Sequence, residues 1–247
     1  MIGIAGRIPI TGIAGSRHTA RIARMVAWLA HLRGLRVGVA CADGLYLASR
    51  CLATGDARHF DVAHRLLVNR NVQGAIFESD ARCMLRDGLP YDRCTVGVVT
   101  DFDGAEALGE FDVHSPEQMA RVLRTQVDVV LDGGVAVLNG ADERVAALGE
   151  FCDGEVILYA ADPGTPALVA HRGQGARGGR VVFLDGQRLV LATGSAELRL
   201  PLLSPAARGD MDDETLLAVV ATAWARDVPR ELIIAGIETF AAHNAAP

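Results

Sequence analysis

Short runs of valine and isoleucine alternate with amphipathic stretches along the first 160 residues or so of the chain. This alternation is typical of β-α-β units built around a mostly parallel sheet. In residues 17–33, apolar side chains recur at helical spacing, which predicts a helix that packs on the sheet through one face. The predicted strands are 8–12, 36–40, 74–78, 96–100, 135–139 and 155–159, and the other predicted helices are 61–69, 116–131 and 143–151.

The pattern changes after the turn formed by Asp162, Pro163 and Gly164. Three short apolar runs follow, separated by Asp-Gly and Thr-Gly pairs that are typical of β-hairpins. Two helical stretches, 213–226 and 229–240, complete the pattern. We therefore expect an α/β core at 1–162, a small antiparallel β appendage at 163–208, C-terminal helices packed on the core at 209–242, and a disordered tail at 243–247.

Composition narrows the class of protein. Of the 247 residues, 50% are hydrophobic and 22% are charged, which excludes the low-hydrophobicity class of disordered chains. A net charge of −6 argues against binding to nucleic acid or an anionic membrane, and the N-terminus lacks a signal-peptide pattern, so we expect a cytoplasmic protein. All 24 basic residues are arginine, which excludes any mechanism that requires lysine. The five cysteines form no C-x-x-C pair, so we expect free thiols and no metal site.

A glycine-rich turn follows the first predicted strand and opens the first helix. This arrangement points several backbone N-H groups at one place, which is how phosphate and other anions are held. Cations near a helix N-terminus are unfavourable, so the basic residues here indicate a bound anion, unless their side chains simply point to water. The predicted anion-binding residues are Gly12, Gly15, Ser16, Arg17, His18, Thr19 and Arg21. In the anion-binding interpretation Arg17 is the counter-charge and His18 an acid or base.

Carboxylates follow two other predicted strands. Glu78 and Asp80 come at the end of one, and Asp101 and Asp103 follow another. The carboxyl ends of parallel strands form the crevice in which open α/β sheets bind ligands. We therefore predict an acidic wall opposite Arg17 that holds or deprotonates an amine, although charged loops without a function are also common at strand ends.

Several segments, in this order, resemble a known family. They are IPITGIAGSRHTARIARM, ADGLYL, FESDARCMLRDGLPYDRCTVGVVTD, LGEFDVHSPEQMARV and GVAVLNGADERVAAL. They resemble the central ATP-binding domain of the Mur ligases, and in particular the Mur-like half of cyanophycin synthetases. The resemblance implies a P-loop-type α/β fold with a mostly parallel sheet. It also implies an activity, the joining of an amino acid to a carboxylate through an acyl phosphate made from ATP, at a site completed by a following C-terminal domain.

The chain departs from the family at the residues that handle ATP. Matched to the family pattern T-G-x-x-G-K-T, residues 11–17 place Ser16 at the phosphate-reaching lysine and Arg17 at the magnesium-binding hydroxyl. Asp101 lies where the family has an asparagine, and Ala107 lies where it has a metal-binding histidine. Leu123 lies near the position of the family's carbamylated lysine. These departures from the family pattern therefore predict that ATP-dependent ligase chemistry is lost.

At other positions the chain keeps residues that the family resemblance predicts. Glu78 stands at the magnesium-linked glutamate, and Asn139 with Asp142 match the segment that contacts the nucleotide, although a turn and a helix N-cap explain these two residues equally well. We predict a degenerate subunit without a cofactor that binds a small anionic, amino-acid-like molecule and assembles with a second copy or another chain. The alternatives are a noncatalytic scaffold of an active partner and an ATP- and magnesium-dependent amide ligase with an altered site.

Overall fold

The centre of the protein is one sheet of eleven strands, seen in a computed structural model that describes residues 8–209 and 211–244. The strand order is β11-β10-β9-β8-β7-β6-β1-β5-β2-β3-β4. The strands are β1 (Ile10–Ala14), β2 (Val37–Cys41), β3 (Gly44–Leu47), β4 (Arg50–Thr54), β5 (Gly74–Ser79), β6 (Cys94–Val99), β7 (Val130–Asn139), β8 (Glu155–Tyr159), β9 (Arg180–Asp185), β10 (Arg188–Thr193) and β11 (Ala196–Arg199).

Nine α-helices are found in the described part of the chain, together with three short 3-10 helices. They are α1 (Thr19–Leu32), α2 (Phe60–Val68), α3 (Ala81–Asp87), α4 (Pro116–Asp128), α5 (Glu143–Ala147), α6 (Pro166–Arg172), α7 (Pro205–Arg208), α8 (Asp213–Ala225) and α9 (Arg230–Asn244). Helices α1, α8 and α9 cover one face of the sheet, and α2, α4, α5 and α6 cover the other. None of the described helices is long and apolar enough to cross a bilayer.

The middle seven strands are parallel, and antiparallel pairs extend the sheet at both edges. Parallel strands covered on both faces are apolar throughout, which explains their valine and isoleucine runs. Strand β1 lies between β5 and β6, and the chain builds the sheet first to one side of β1 and then to the other. This reversal places a crevice at the carboxyl ends of β1, β5 and β6, where ligands of such sheets bind.

The mostly parallel α/β class predicted from the sequence is confirmed, but two details differ. The antiparallel strands β9 to β11 continue the main sheet, because β9 pairs in parallel with β8. Residues 243 and 244, predicted to be disordered, belong to α9, and 245–247 lie outside the described residues. The hairpin of β3 and β4 at the opposite edge was not predicted. The proposed division into core, appendage and C-terminal helices stays a prediction.

Candidate functional site

The turn between β1 and α1 consists of Gly15, Ser16, Arg17 and His18. Gly15 has a φ of 140° and His18 a φ of 55°, both in the region that favours glycine. A side chain at Gly15 would also collide with the hydroxyl of Thr100. The turn is therefore held in a strained backbone shape, with a glycine at one end and a histidine in the left-handed conformation at the other.

Gly12 is not part of this turn, which corrects the prediction that it binds an anion. It lies inside β1, where a Cβ atom would overlap the hydroxyl of Tyr91 and the side-chain amide of Gln126. The Tyr91 hydroxyl donates a hydrogen bond of 2.7 Å to Gln126 Oε1, so the two side chains hold each other in place. Gly12 is required for close packing on the sheet.

The two residues matched to the family's lysine and magnesium-binding hydroxyl, Ser16 and Arg17, are exposed residues of this turn. Ser16 carries no ammonium group, and Arg17 carries no oxygen that could bind magnesium.

The carboxylate of Asp101 lies in the turn and accepts its N-H groups. The backbone N-H of Ser16 donates to both carboxylate oxygens at 3.1 Å, and that of Arg17 donates at 3.2 Å. The Ser16 hydroxyl donates at 2.6 Å, the Thr100 hydroxyl at 2.8 Å and the backbone N-H of Asp103 at 3.1 Å. Asp101 is only 5% exposed. The backbone donors expected to hold an external anion are thus directed at an anion of the protein itself.

These donors keep Asp101 ionised. Burial by itself raises the pKa of the Asp101 carboxyl, but the hydrogen bonds from Ser16, Thr100 and Asp103 outweigh it, and the pKa lies below its usual value. A carboxylate that accepts several N-H and O-H bonds is strongly favoured in its charged form. The negative charge in the turn is therefore permanent at neutral pH.

A second buried carboxylate, Glu78, lies at the end of β5 on the other side of the turn. It accepts hydrogen bonds from the Thr19 hydroxyl at 2.8 Å and from the backbone N-H of Ala42 at 2.7 Å. Burial raises the pKa of Glu78, while these two donors and nearby Arg58 oppose the shift. The guanidinium of Arg58 lies 3.8 Å from Glu78 and donates to Asp80 at 2.7 Å. Arg58, Glu78 and Asp80 therefore form a compact cluster of charges.

Arg58 was not among the residues predicted from the sequence. It precedes α2, and its guanidinium and backbone N-H also bond to Asp56. Asp80 accepts the backbone N-H of Cys83 at 2.7 Å and so caps α3. Arg58 and Glu78 lie far apart in the sequence and meet only in the folded protein, so no local signal in the sequence could have shown their contact.

The exposed residues of the turn face carboxylates. Arg17 pairs with Asp103 at 2.9 Å, and Nε2 of His18 lies 3.3 Å from Asp212 at the start of α8. Two cavities flank the turn. The larger, of about 480 Å³, lies between the turn and α8, and the smaller, of about 210 Å³, lies beside Glu78. Arg21 lines neither.

The predicted acidic wall is therefore divided. Glu78, Asp80 and Asp103 line the smaller cavity, whereas Asp101 lines the larger one and is bonded to the turn. The four carboxylates do not form a single surface opposite Arg17, because Asp103 itself pairs with that arginine.

The two residues matched to the nucleotide segment make local contacts. Asn139 donates from Nδ2 to the carbonyl of Thr100 at 3.1 Å and accepts the N-H of Ala141 at 3.0 Å. Asp142 caps α5 through the N-H of Arg144 at 2.9 Å and pairs with its guanidinium. Asn139 thus fixes the strand end from which Asp101 extends. Asn139 thus makes a turn contact and Asp142 an N-cap contact. These are the contacts that the sequence analysis gave as the alternative to nucleotide binding.

The residues present do not fit the magnesium ions that the family resemblance implies. Magnesium needs oxygen ligands, but Arg17, Ala107 and Leu123 stand at three of the positions that would supply or support them. Ala107 and Leu123 line the smaller cavity with apolar surface. Among the described residues, no group of three or more histidine, cysteine or acidic side chains is arranged to hold a metal ion.

Replacing Asp101 with asparagine tests the contact in the turn. At pH 7 we expect Asp101→Asn to lower the free energy of unfolding by about 2 kcal/mol, because hydrogen bonds to a charged acceptor contribute roughly 1.5–3 kcal/mol. The folded-state pKa of Asp101 is lowered, so its contribution is complete above the unfolded pKa and is lost as the pH falls through the folded pKa. Urea unfolding at pH 7 and in the acid range should show the gap to wild type closing in acid. Exposed Asp153→Asn is the control, and an equal loss at every pH would contradict the contact.

Comparisons with known proteins agree with this architecture. No family model matches the chain. Cyanophycin synthetase from Synechocystis sp. is 30% identical over 243 residues, which are 96% of this chain and 27% of that protein. Cyanophycin synthetase from Crocosphaera subtropica is 31% identical over 241 residues, with the same coverage of each chain. The chain thus spans about a quarter of the length of these curated relatives.

Solved structures show the same fold at lower sequence identity. A UDP-N-acetylmuramoyl-L-alanyl-D-glutamate--2,6-diaminopimelate ligase matches with a TM-score of 0.65 at 15% identity, covering 96% of this chain and 47% of that one. A pseudomurein peptide ligase type C from Methanothermus fervidus matches with a TM-score of 0.58 at 16% identity, covering 94% and 49%. The chain is therefore similar in sequence to one part of cyanophycin synthetase and has the fold of one part of the Mur ligases.

Proposed function

We propose that this Mur-ligase-like domain has lost ATP-dependent ligation and binds a small anionic, amino-acid-like molecule as one subunit of a biosynthetic assembly. The observation that carries the proposal is the carboxylate of Asp101 on the backbone N-H groups of Ser16 and Arg17. A turn of this kind holds phosphate through those same groups. An ionised carboxylate in their place both blocks the donors and repels a phosphate.

The surroundings of the turn support the loss of ATP chemistry. Ser16 in place of the lysine and Arg17 in place of the metal-binding hydroxyl supply neither the ammonium group nor the metal ligand that phosphoryl transfer uses, and the chain has no lysine to replace them. Arg58 gives Glu78 a positive neighbour within 3.8 Å from the protein itself. The site is thus charge-compensated by its own side chains, which favours a domain that folds and acts without nucleotide or magnesium.

The anion of the ligand is assigned to the side chain of Arg17 rather than to the turn backbone. The Arg17 side chain is 56% exposed and lines the larger cavity, and its guanidinium has five N-H donors, of which Asp103 engages only part. A planar guanidinium suits carboxylate, phosphate or sulfate. His18 lies beside it, where its imidazole can act as an acid or base toward a bound molecule.

A second protein surface is part of the proposal. Ligand sites for small molecules enclose roughly 70–90% of the ligand surface. The side chains of Arg17 and His18, which line the larger cavity, are each more than half exposed, so the described residues leave this cavity open on one side. A separate chain or a second copy of this one would close it.

Titration with ATP tests the loss of nucleotide chemistry. We expect no ATP hydrolysis and no magnesium-dependent ATP binding in calorimetry, because Asp101 occupies the donors and the lysine and metal ligands are missing. Micromolar affinity for ATP with magnesium would contradict the proposal and favour a ligase with an altered site. A scaffold without a ligand shares the ATP result but binds no small molecule, so ligand binding separates these two functions.

Measuring the molar mass in solution tests the assembly. We expect light scattering on natively purified protein to give a dimer or a larger complex, with any co-purified chain identified by mass spectrometry, because the cavity needs a second wall. A monodisperse monomer that binds its small molecule at full affinity would overturn this part of the proposal.

A further inference from the structure

We propose that the outer edge of β11 pairs with β11 of a second copy of this chain, so that the two sheets join across a two-fold axis at Leu198. β11 is the last strand of the sheet, and it runs from Ala196 to Arg199. No residue of β11 lines either cavity beside the turn, so this inference goes beyond the proposed function and does not depend on its ligand.

The edge formed by β11 is bare. Among the strands that the structure describes, β11 pairs with β10 alone. All four residues of β11 are exposed, and one of them is a leucine, Leu198, at 36%. A second exposed leucine, Leu202, follows shortly after the strand. Such an edge accepts another strand through its unpaired backbone N-H and C=O groups.

The opposite edge of the sheet is less suited to pairing. β4 is also exposed, but its pairing with β3 shifts register between Leu45 and Tyr46. An irregularity of this kind bends an edge strand and hinders the approach of another strand. The pairing of β10 with β11 has no such shift. β11 is therefore the more regular of the two edges.

The backbone groups of β11 alternate in direction. Leu198 lies opposite Leu191 of β10, and the N-H of Leu200 donates to a β10 carbonyl, that of Leu189, at 2.9 Å. Backbone groups of neighbouring residues in a strand point to opposite sides of it. The N-H and C=O groups of Glu197 and Arg199 therefore point away from β10, toward the position of a further strand.

The order of the charges selects one register for a two-fold pair. With the axis at Leu198, Glu197 lies opposite the partner's Arg199, and Arg199 lies opposite the partner's Glu197. Each of these pairs exchanges two backbone hydrogen bonds and places opposite charges side by side. An axis at Glu197 or at Arg199 would instead place two like charges opposite each other, which is destabilising.

The same register suits the apolar side of the edge. Leu198 lies on the axis and packs on the partner's Leu198, in a pair without direct backbone hydrogen bonds, where side chains approach closely. Each copy presents the same patch to the other, so the contact closes at two copies. A second copy of this chain is thus an occupant that matches the backbone groups, the charges and the leucine together.

The charged side chains of β11 already belong to a row of alternating sign. Arg199 pairs with Asp185 at 2.9 Å, and Glu197 pairs with Arg172 at 3.2 Å. The partner's charges continue this alternation. Exposed ion pairs contribute little, and the strand is short, so we expect a weak dimer with a dissociation constant of roughly 10–100 µM.

Charge reversal on the full chain tests the register, with sedimentation equilibrium from about 5 to 500 µM as the measurement. Arg199→Glu and Glu197→Arg each place like charges in both pairs, so each should raise the dissociation constant about tenfold or more. An equimolar mixture of the two variants should recover the wild-type value, because each supplies the charges that the other lacks. This recovery also shows that both variants are folded. Arg50→Glu, on the exposed strand β4, is the matched control and should change nothing.

Disulfide trapping locates the axis. In a Cys51→Ser background, which removes the exposed cysteine and sets the baseline, Leu198→Cys should give a covalent dimer under mild oxidation. The two Cα atoms of such a pair lie about 4.5 Å apart, within disulfide range. Glu197→Cys and Arg199→Cys should cross-link far less, because each lies diagonally from its own counterpart, at about 7–8 Å.

The outcomes separate this inference from the proposed function. A wild-type protein that is monomeric at every concentration would overturn the inference and leave a separate chain as the partner in the proposed function. A wild-type dimer that persists unchanged in Arg199→Glu and Glu197→Arg would also overturn it, while the proposed assembly stands on another surface. Stronger cross-linking of Glu197→Cys or Arg199→Cys than of Leu198→Cys would contradict the register and the inference with it.

Discussion

The carboxylate of Asp101 holds together the three segments that meet at the centre of the sheet edge. It accepts hydrogen bonds from Ser16 and Arg17 in the turn, from Thr100 at the end of β6, and from the N-H of Asp103 in the next loop. A phosphate-binding turn normally leaves its N-H groups for a ligand and has few internal partners for them. Here those groups are satisfied within the protein, so the strained turn is stable without a bound anion.

The same principle explains the region around Glu78. A buried carboxylate is costly unless it is paired and hydrogen-bonded. Glu78 receives the Thr19 hydroxyl and the Ala42 N-H directly, and the charge of Arg58 lies at 3.8 Å. The turn and Glu78 are thus each charge-compensated from within the chain, the turn by Asp101 and Glu78 by Arg58. Under the proposed function, the ligand therefore binds on the exposed side of the turn.

The parallel core could be predicted from the sequence because strands that are buried on both faces form continuous valine and isoleucine runs. Which glycine lies in the turn could not be predicted from the sequence. Gly12 and Gly15 are equally plausible turn glycines, and the packing of Tyr91 and Gln126 against Gly12 decides between them. Arg58 escaped notice for a related reason, since it lies far from Glu78 in the sequence and meets it only in the folded protein.

Thermal unfolding of Asp101→Ala in increasing inorganic phosphate, up to about 50 mM, tests the central claim most directly, because a ligand that binds only the folded state raises the unfolding temperature. Removing the carboxylate frees the N-H groups of Ser16 and Arg17, so phosphate should raise the unfolding temperature of the variant more than that of wild type. Sodium chloride at the same ionic strength controls for screening. Equal responses of the two proteins to phosphate would contradict the account, since the turn would then gain no anion site when Asp101 is removed.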